Sequence, residues 1–109
     1  MSSSVPGPLQ GEVWWGEAPD AKGRPYLVLT RDAAIPVLRT ILVAPVTRTV
    51  REIPTEVPLG GDEGLEVECA ATIDNVLAFP RSMLVRRLGA LRLDRRDELC
   101  AAWRAATDC

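Results

Sequence analysis

The chain has 109 residues, 47% apolar and 26% charged, with 13 Lys plus Arg against 15 Asp plus Glu; this is the balance of one folded domain, too short for two and unlike a disordered tail. No uncharged run approaches the roughly 20 apolar residues of a bilayer span, so a membrane protein is not expected. Histidine is absent, which removes Ser-His-Asp and Cys-His nucleophiles, His-ligated zinc and His-pair ribonuclease chemistry.

Residues 1–10, MSSSVPGPLQ, are rich in Ser, Pro and Gly and read as a flexible leader ahead of one domain over 11–109. They carry no secretory pattern, so the expected compartment is the cytoplasm. Val13-Trp14-Trp15 predicts a first strand, broken by the loop EAPDAKG, and Pro25 to Thr30 a second, apolar on both faces and so central. The third runs from Thr40 to Thr47. The fourth, Thr55 to Leu59, carries Pro54 and Pro58 and belongs at an edge. Alternation at Leu65, Val67 and Cys69 predicts a strand over 65–73, residues around Phe79-Pro80 a loop, and Val85 to Leu91 the last strand. Asp94 and Asp97 then resemble a capping box, and Leu99, Ala102, Trp103 and Ala106 recur at helical spacing, with Trp103 expected against the sheet. The pattern predicts a mainly β fold: a small, partly open barrel of five to six strands with a C-terminal amphipathic helix.

The three cysteines, Cys69, Cys100 and Cys109, are odd in number and far apart, which frames neither a disulfide scaffold nor a metal half-site. Cys69 and Cys100 are expected as small buried hydrophobes and Cys109 as a free thiol. A net charge of −2 argues against non-specific coating of nucleic acid and leaves room for a local basic groove. Of the 13 basic residues all but Lys22 are Arg, a bias that suits phosphate recognition and that a GC-rich genome also produces.

If strands two and three form a hairpin with Thr30 opposite Ile41, Arg24 falls opposite Thr47, with Cβ atoms about 5 Å apart. A guanidinium and a hydroxyl then share one rim of the barrel, with Arg48 beside them and Lys22 and Arg31 on nearby loops. Spacing alone also fits a solvated Arg24 and an ordinary strand-end Thr47. Trp14 and Trp15 face opposite sides of their strand; one is core, and the other is left to an unpaired base or an interface. Arg86, Arg87, Arg95 and Arg96 read as a solvated face.

Five segments, Gly11-Glu-Val-Trp14, Gly23-Arg-Pro-Tyr-Leu-Val-Leu-Thr30, Val43-Ala-Pro-Val-Thr47, Ala71-Thr-Ile-Asp74 and Leu88-Gly-Ala-Leu91, resemble the successive motifs of the MazF/PemK toxin family. The resemblance implies an SH3-like barrel acting as a homodimeric, sequence-specific and metal-independent endoribonuclease of a type II toxin–antitoxin system. It implies Arg24 and Thr47 as the catalytic pair, no cofactor, and single-stranded RNA and a cognate antitoxin as partners; Lys22 and Arg48, from their place next to that pair, are expected to bind RNA. The chain departs from the family in its short first loop, where Glu17 and Asp20 replace a Ser-Glu pair, and at Cys69, where a Gln is common. A gyrase-binding toxin on the same fold and an inactive family member are the alternatives.

Overall fold

The computed structural model describes residues 7–20 and 22–108; the first six residues of the expected leader and Cys109 lie outside them. Seven strands, β1 (Glu12–Gly16), β2 (Arg24–Val28), β3 (Thr40–Thr47), β4 (Glu56–Leu59), β5 (Cys69–Thr72), β6 (Leu77–Pro80) and β7 (Leu84–Ala90), precede the helix α1 (Arg96–Thr107). They form one curled antiparallel sheet in the order β4-β5-β3-β2-β1-β7, with β6 also on β3. The fold is therefore the mainly β, helix-capped architecture that the alternation predicts, with more strands than the five or six expected.

The sheet curls because β3 changes partners along its length. Thr40 to Val43 pair with β6, whereas Val46 and Thr47 pair with β5. Its buried positions change phase at the same place. Ile41 and Val43 join an outer cluster with Trp14, Tyr26 and Phe79, while Ala44 and Val46 join the barrel interior with Val13, Leu27 and Ile73. Both faces of β2 are buried too, which fits its central place. On α1, Leu99 and Ala102 close the interior cluster.

Four local expectations are corrected. Residues 65–68 are not a strand, because β5 needs β4 as its ladder and pairing stops at Leu59 opposite Cys69, where Gly60 ends β4; Val67 is exposed. Leu77–Pro80 is a strand and not a loop, since the long β3 leaves an open edge from Thr40 to Val43 for it to pair with. The helix has no side-chain N-cap: residues 93–95 form a 3-10 turn, and Asp94 accepts from Arg92 at 2.7 Å instead. Cys100 and Trp103 lie largely outside the interior, which Leu99 and Ala102 fill from the same helix.

Two arginines expected on a solvated face do structural work. Arg95 donates to the Pro58 carbonyl, to Glu63 and to Glu98, joining β4, the 61–64 turn and α1. The hydrogen bond between them raises the Arg95 pKa further and lowers that of Glu98. Arg96 donates to both the carbonyl and the side chain of Gln10, which also donates to the Leu29 carbonyl. Among the described residues no helix is long and apolar enough to cross a membrane.

Candidate active site

The β2–β3 hairpin decides which side chains meet. Its pairs are Tyr26 with Pro45, Leu27 with Ala44 and Val28 with Val43, and the Leu29 amide carries the same register to the Leu42 carbonyl at 2.9 Å. The β2–β3 ladder stops at Tyr26 opposite Pro45, two residues short of Arg24 and Thr47, which pair instead with Gly16 and Ala70. The Arg24 guanidinium donates to the Val46 carbonyl at 3.1 Å, which ties it to the residue before Thr47. An Arg has five N–H donors, so this bond leaves most of the fork directed outward.

Thr47 is half-buried at the end of β3, and its Oγ1 accepts the amide of Thr49 at 3.1 Å. With that oxygen engaged as an acceptor, the hydroxyl proton is available to an incoming anion. Lys22 and Arg48 flank the pair and are exposed. Among the described residues none of Lys22, Arg24 and Arg48 forms a salt bridge; the four that occur use Arg87, Arg92 and Arg95. Lys22, Arg24 and Arg48 are thus exposed cations without a salt-bridge partner among the described residues, on a chain of net charge −2.

Other candidates sit elsewhere. Arg31 follows the far end of β2, roughly 20 Å along the strand from Arg24, and lines an apolar groove with Trp103. Glu17 accepts the Trp15 indole N–H at 2.9 Å, and Asp20 is exposed. Trp14 is the core member of its pair, while Trp15 is half-buried with its indole against Gly23, where any Cβ would strike the ring.

A family model described as PemK-like, MazF-like toxin of type II toxin-antitoxin system matches residues 9–106. The chain belongs to this toxin family. Among curated relatives, the probable endoribonuclease MazF5 of Mycobacterium tuberculosis is 44% identical over 103 residues, covering 94% of both chains. Among solved structures, the Mycobacterium tuberculosis toxin MazF-mt6 matches with a TM-score of 0.82 at 34% identity, over 89% of this chain and 96% of its own. A MazE-MazF structure (Form-III) from Deinococcus radiodurans matches with a TM-score of 0.75 at 25% identity, over 93% of this chain and 96% of its own.

Two concavities of this MazF-like toxin are lined by neither Arg24 nor Thr47. One of about 900 Å³ is bordered by Glu52, Glu56, Asp62, Glu63 and Glu68, with Arg95 already engaged by Glu63 and Glu98; its sign repels phosphate. Another, of about 640 Å³, lies between α1 and the β2–β3 hairpin and is mostly apolar. Sequence reasoning missed Glu56, whose carboxylate holds the loop that leaves Thr47. Its place in an edge strand gave no signal of that contact.

Proposed function

We propose that this MazF-like toxin is an endoribonuclease that cuts single-stranded RNA at the Arg24–Thr47 rim, without a metal ion, leaving a 2′,3′-cyclic phosphate and a 5′-hydroxyl. The reading is carried by the guanidinium of Arg24, which has no carboxylate partner among the described residues and is held to the carbonyl of Val46, the residue before Thr47. In this reaction the ribose 2′-oxygen forms a bond to the adjacent phosphorus as its proton passes to water, the P–O5′ bond breaks, and the departing 5′-oxygen takes a proton from water. Negative charge grows on the phosphorane oxygens, and stabilising it there is where a fixed cation acts most strongly. Arg24 supplies that charge with two parallel donors, and Thr47 donates its hydroxyl proton to a phosphate oxygen. Lys22 and Arg48 hold the flanking backbone as point and fork charges.

The metal-free part of the reading rests on the donors. Histidine is absent, and among the described residues no three Cys, Asp or Glu side chains are grouped to hold an ion. Cleavage is expected to persist in excess EDTA; strict dependence on added magnesium or manganese would contradict it. A gyrase-binding role has no use for an unpaired guanidinium set beside a hydroxyl.

The toxin acts as a two-fold dimer in this reading, and a cognate antitoxin restrains it by laying an acidic segment over Lys22, Arg24 and Arg48. The apolar groove beside α1 supports the dimer: Leu38, Leu42 and Trp103 are 41%, 40% and 37% exposed there, which is apolar surface suited to a second copy. Light scattering is expected to give twice the 11.9 kDa chain mass, and Leu42→Glu to give the monomer. A wild-type protein that stays monomeric at micromolar concentration would refute the dimer.

A further inference from the structure

We infer that Glu56 is a positioning residue for the reaction: its carboxylate clasps the loop that leaves Thr47 and so fixes the hydroxyl and Arg48. The inference rests on the nuclease reading above. Residues 48–54 are exposed throughout. Among the described residues their hydrogen bonds run to Thr47 and Glu56 alone. The Thr49 amide donates to Thr47 Oγ1, the Arg51 and Glu52 amides donate to Glu56 Oε1 at 2.9 and 3.1 Å, and the Glu56 amide donates to the Ile53 carbonyl at 3.0 Å.

Two features set this carboxylate apart from an ordinary surface Glu. Glu56 is only 8% exposed, and its other oxygen, Oε2, is buried with no hydrogen-bond partner among the described residues. Burying a carboxylate this way is unfavourable, and the two amide bonds to the charged oxygen offset that cost. The second feature is the backbone. Glu52 has a φ of +54°, a left-handed conformation that a side-chain-bearing residue rarely adopts. That turn brings two successive amides onto one anionic oxygen, as in an anion-binding nest. Strain of this kind persists only where surrounding contacts hold it, and it gathers beside functional sites.

Among the described residues no other hydrogen bond anchors the loop between Thr49 and Ile53, so releasing Glu56 frees the segment that keeps the Thr49 amide on the Thr47 oxygen. The hydroxyl then rotates away from a phosphate-donating direction, and Arg48 loses its place. Glu56 itself stays behind the loop and touches no substrate.

Substitutions at Glu52 test this from the exposed side of the clasp, where folding is not at risk. Proline at 52 has no N–H and a φ near −65°, so it breaks the clasp; glycine keeps the N–H and takes a positive φ freely. Single-turnover cleavage of a labelled RNA, RNA affinity by anisotropy, and hydrogen exchange at the Thr49 and Arg51 amides are measured for Glu52→Pro, Glu52→Gly, Glu56→Ala and Thr47→Ala. Glu52→Pro and Glu56→Ala are expected to cleave about tenfold more slowly, with a much smaller change in affinity and faster exchange at both amides. Glu52→Gly is expected to keep the wild-type rate and slow exchange. A wild-type rate in Glu52→Pro together with an inactive Thr47→Ala would overturn the positioning role and leave the nuclease reading standing. A wild-type rate in Thr47→Ala would overturn both.

Discussion

Replacing Arg24 with Ala is expected to lower RNA cleavage about 100- to 1,000-fold, the size of effect seen when one preorganised donor to a developing oxyanion is removed. The melting temperature is expected to stay within about 2 °C, because surface changes away from packed features are nearly neutral. Arg24 is exposed, and the one side-chain hydrogen bond it makes among the described residues, to the Val46 carbonyl, lies at a sheet rim where water replaces it. Lys at the same position should recover only part of the rate: an ammonium keeps the charge but lacks the planar fork that meets two phosphate oxygens. Cleavage assays at one salt concentration, paired with thermal melts, separate the two effects. An active Arg24→Ala protein would remove the guanidinium from the mechanism.

The largest stability effect is expected at Gly64. Its φ is +86°, and a Cβ there would overlap the Leu88 carbonyl, while a Cβ on Gly89 of the same strand would overlap the Glu63 carbonyl. Here the 61–64 turn lies directly on β7, and no side chain fits between the two backbones. Gly64→Ala adds a left-handed penalty of about 1–2 kcal/mol to an overpacking cost of about 1–3 kcal/mol. The sum is a large part of the roughly 5–15 kcal/mol that holds a typical domain together. The same turn carries Glu63, which Arg95 grips at 3.2 Å, so its displacement also loosens α1 from β4. Urea denaturation measures the loss; a variant within about 0.5 kcal/mol of wild type would mean that the turn can move off β7 freely.

The part of the fold legible in the sequence is the part fixed by local alternation. Apolar residues on both faces of β2 mark it as central, and a register in which paired numbers sum to 71 follows from closing a hairpin over residues 31–40. On the sequence alone that register places Arg24 opposite Thr47, two residues beyond where the ladder stops. What was not legible depends on partners distant in sequence. Leu65 to Glu68 alternate well, but β4 has ended at Leu59 and offers no ladder. Leu77–Pro80 looks like a loop because of its proline, and becomes a strand because β3 has an unpaired edge. Cys100 and Trp103 fit a helical apolar stripe, yet the barrel mouth takes Leu99 and Ala102, with Ala106 packed against them, from that helix. Glu56 was invisible as a clasp because the amides it binds come from a left-handed turn at Glu52, a residue type with no preference for it.

The nuclease reading comes to a single chemical result, the ends left on cut RNA. Purified toxin is incubated with a long single-stranded RNA in excess EDTA, and the fragments are sequenced by methods that capture 5′-hydroxyl and cyclic phosphate ends separately. Both kinds of end at matching positions, absent from an Arg24→Ala control, are the predicted result. Fragments with 5′-phosphates, or cleavage that stops in EDTA, would contradict an Arg24–Thr47 mechanism built on 2′-hydroxyl attack.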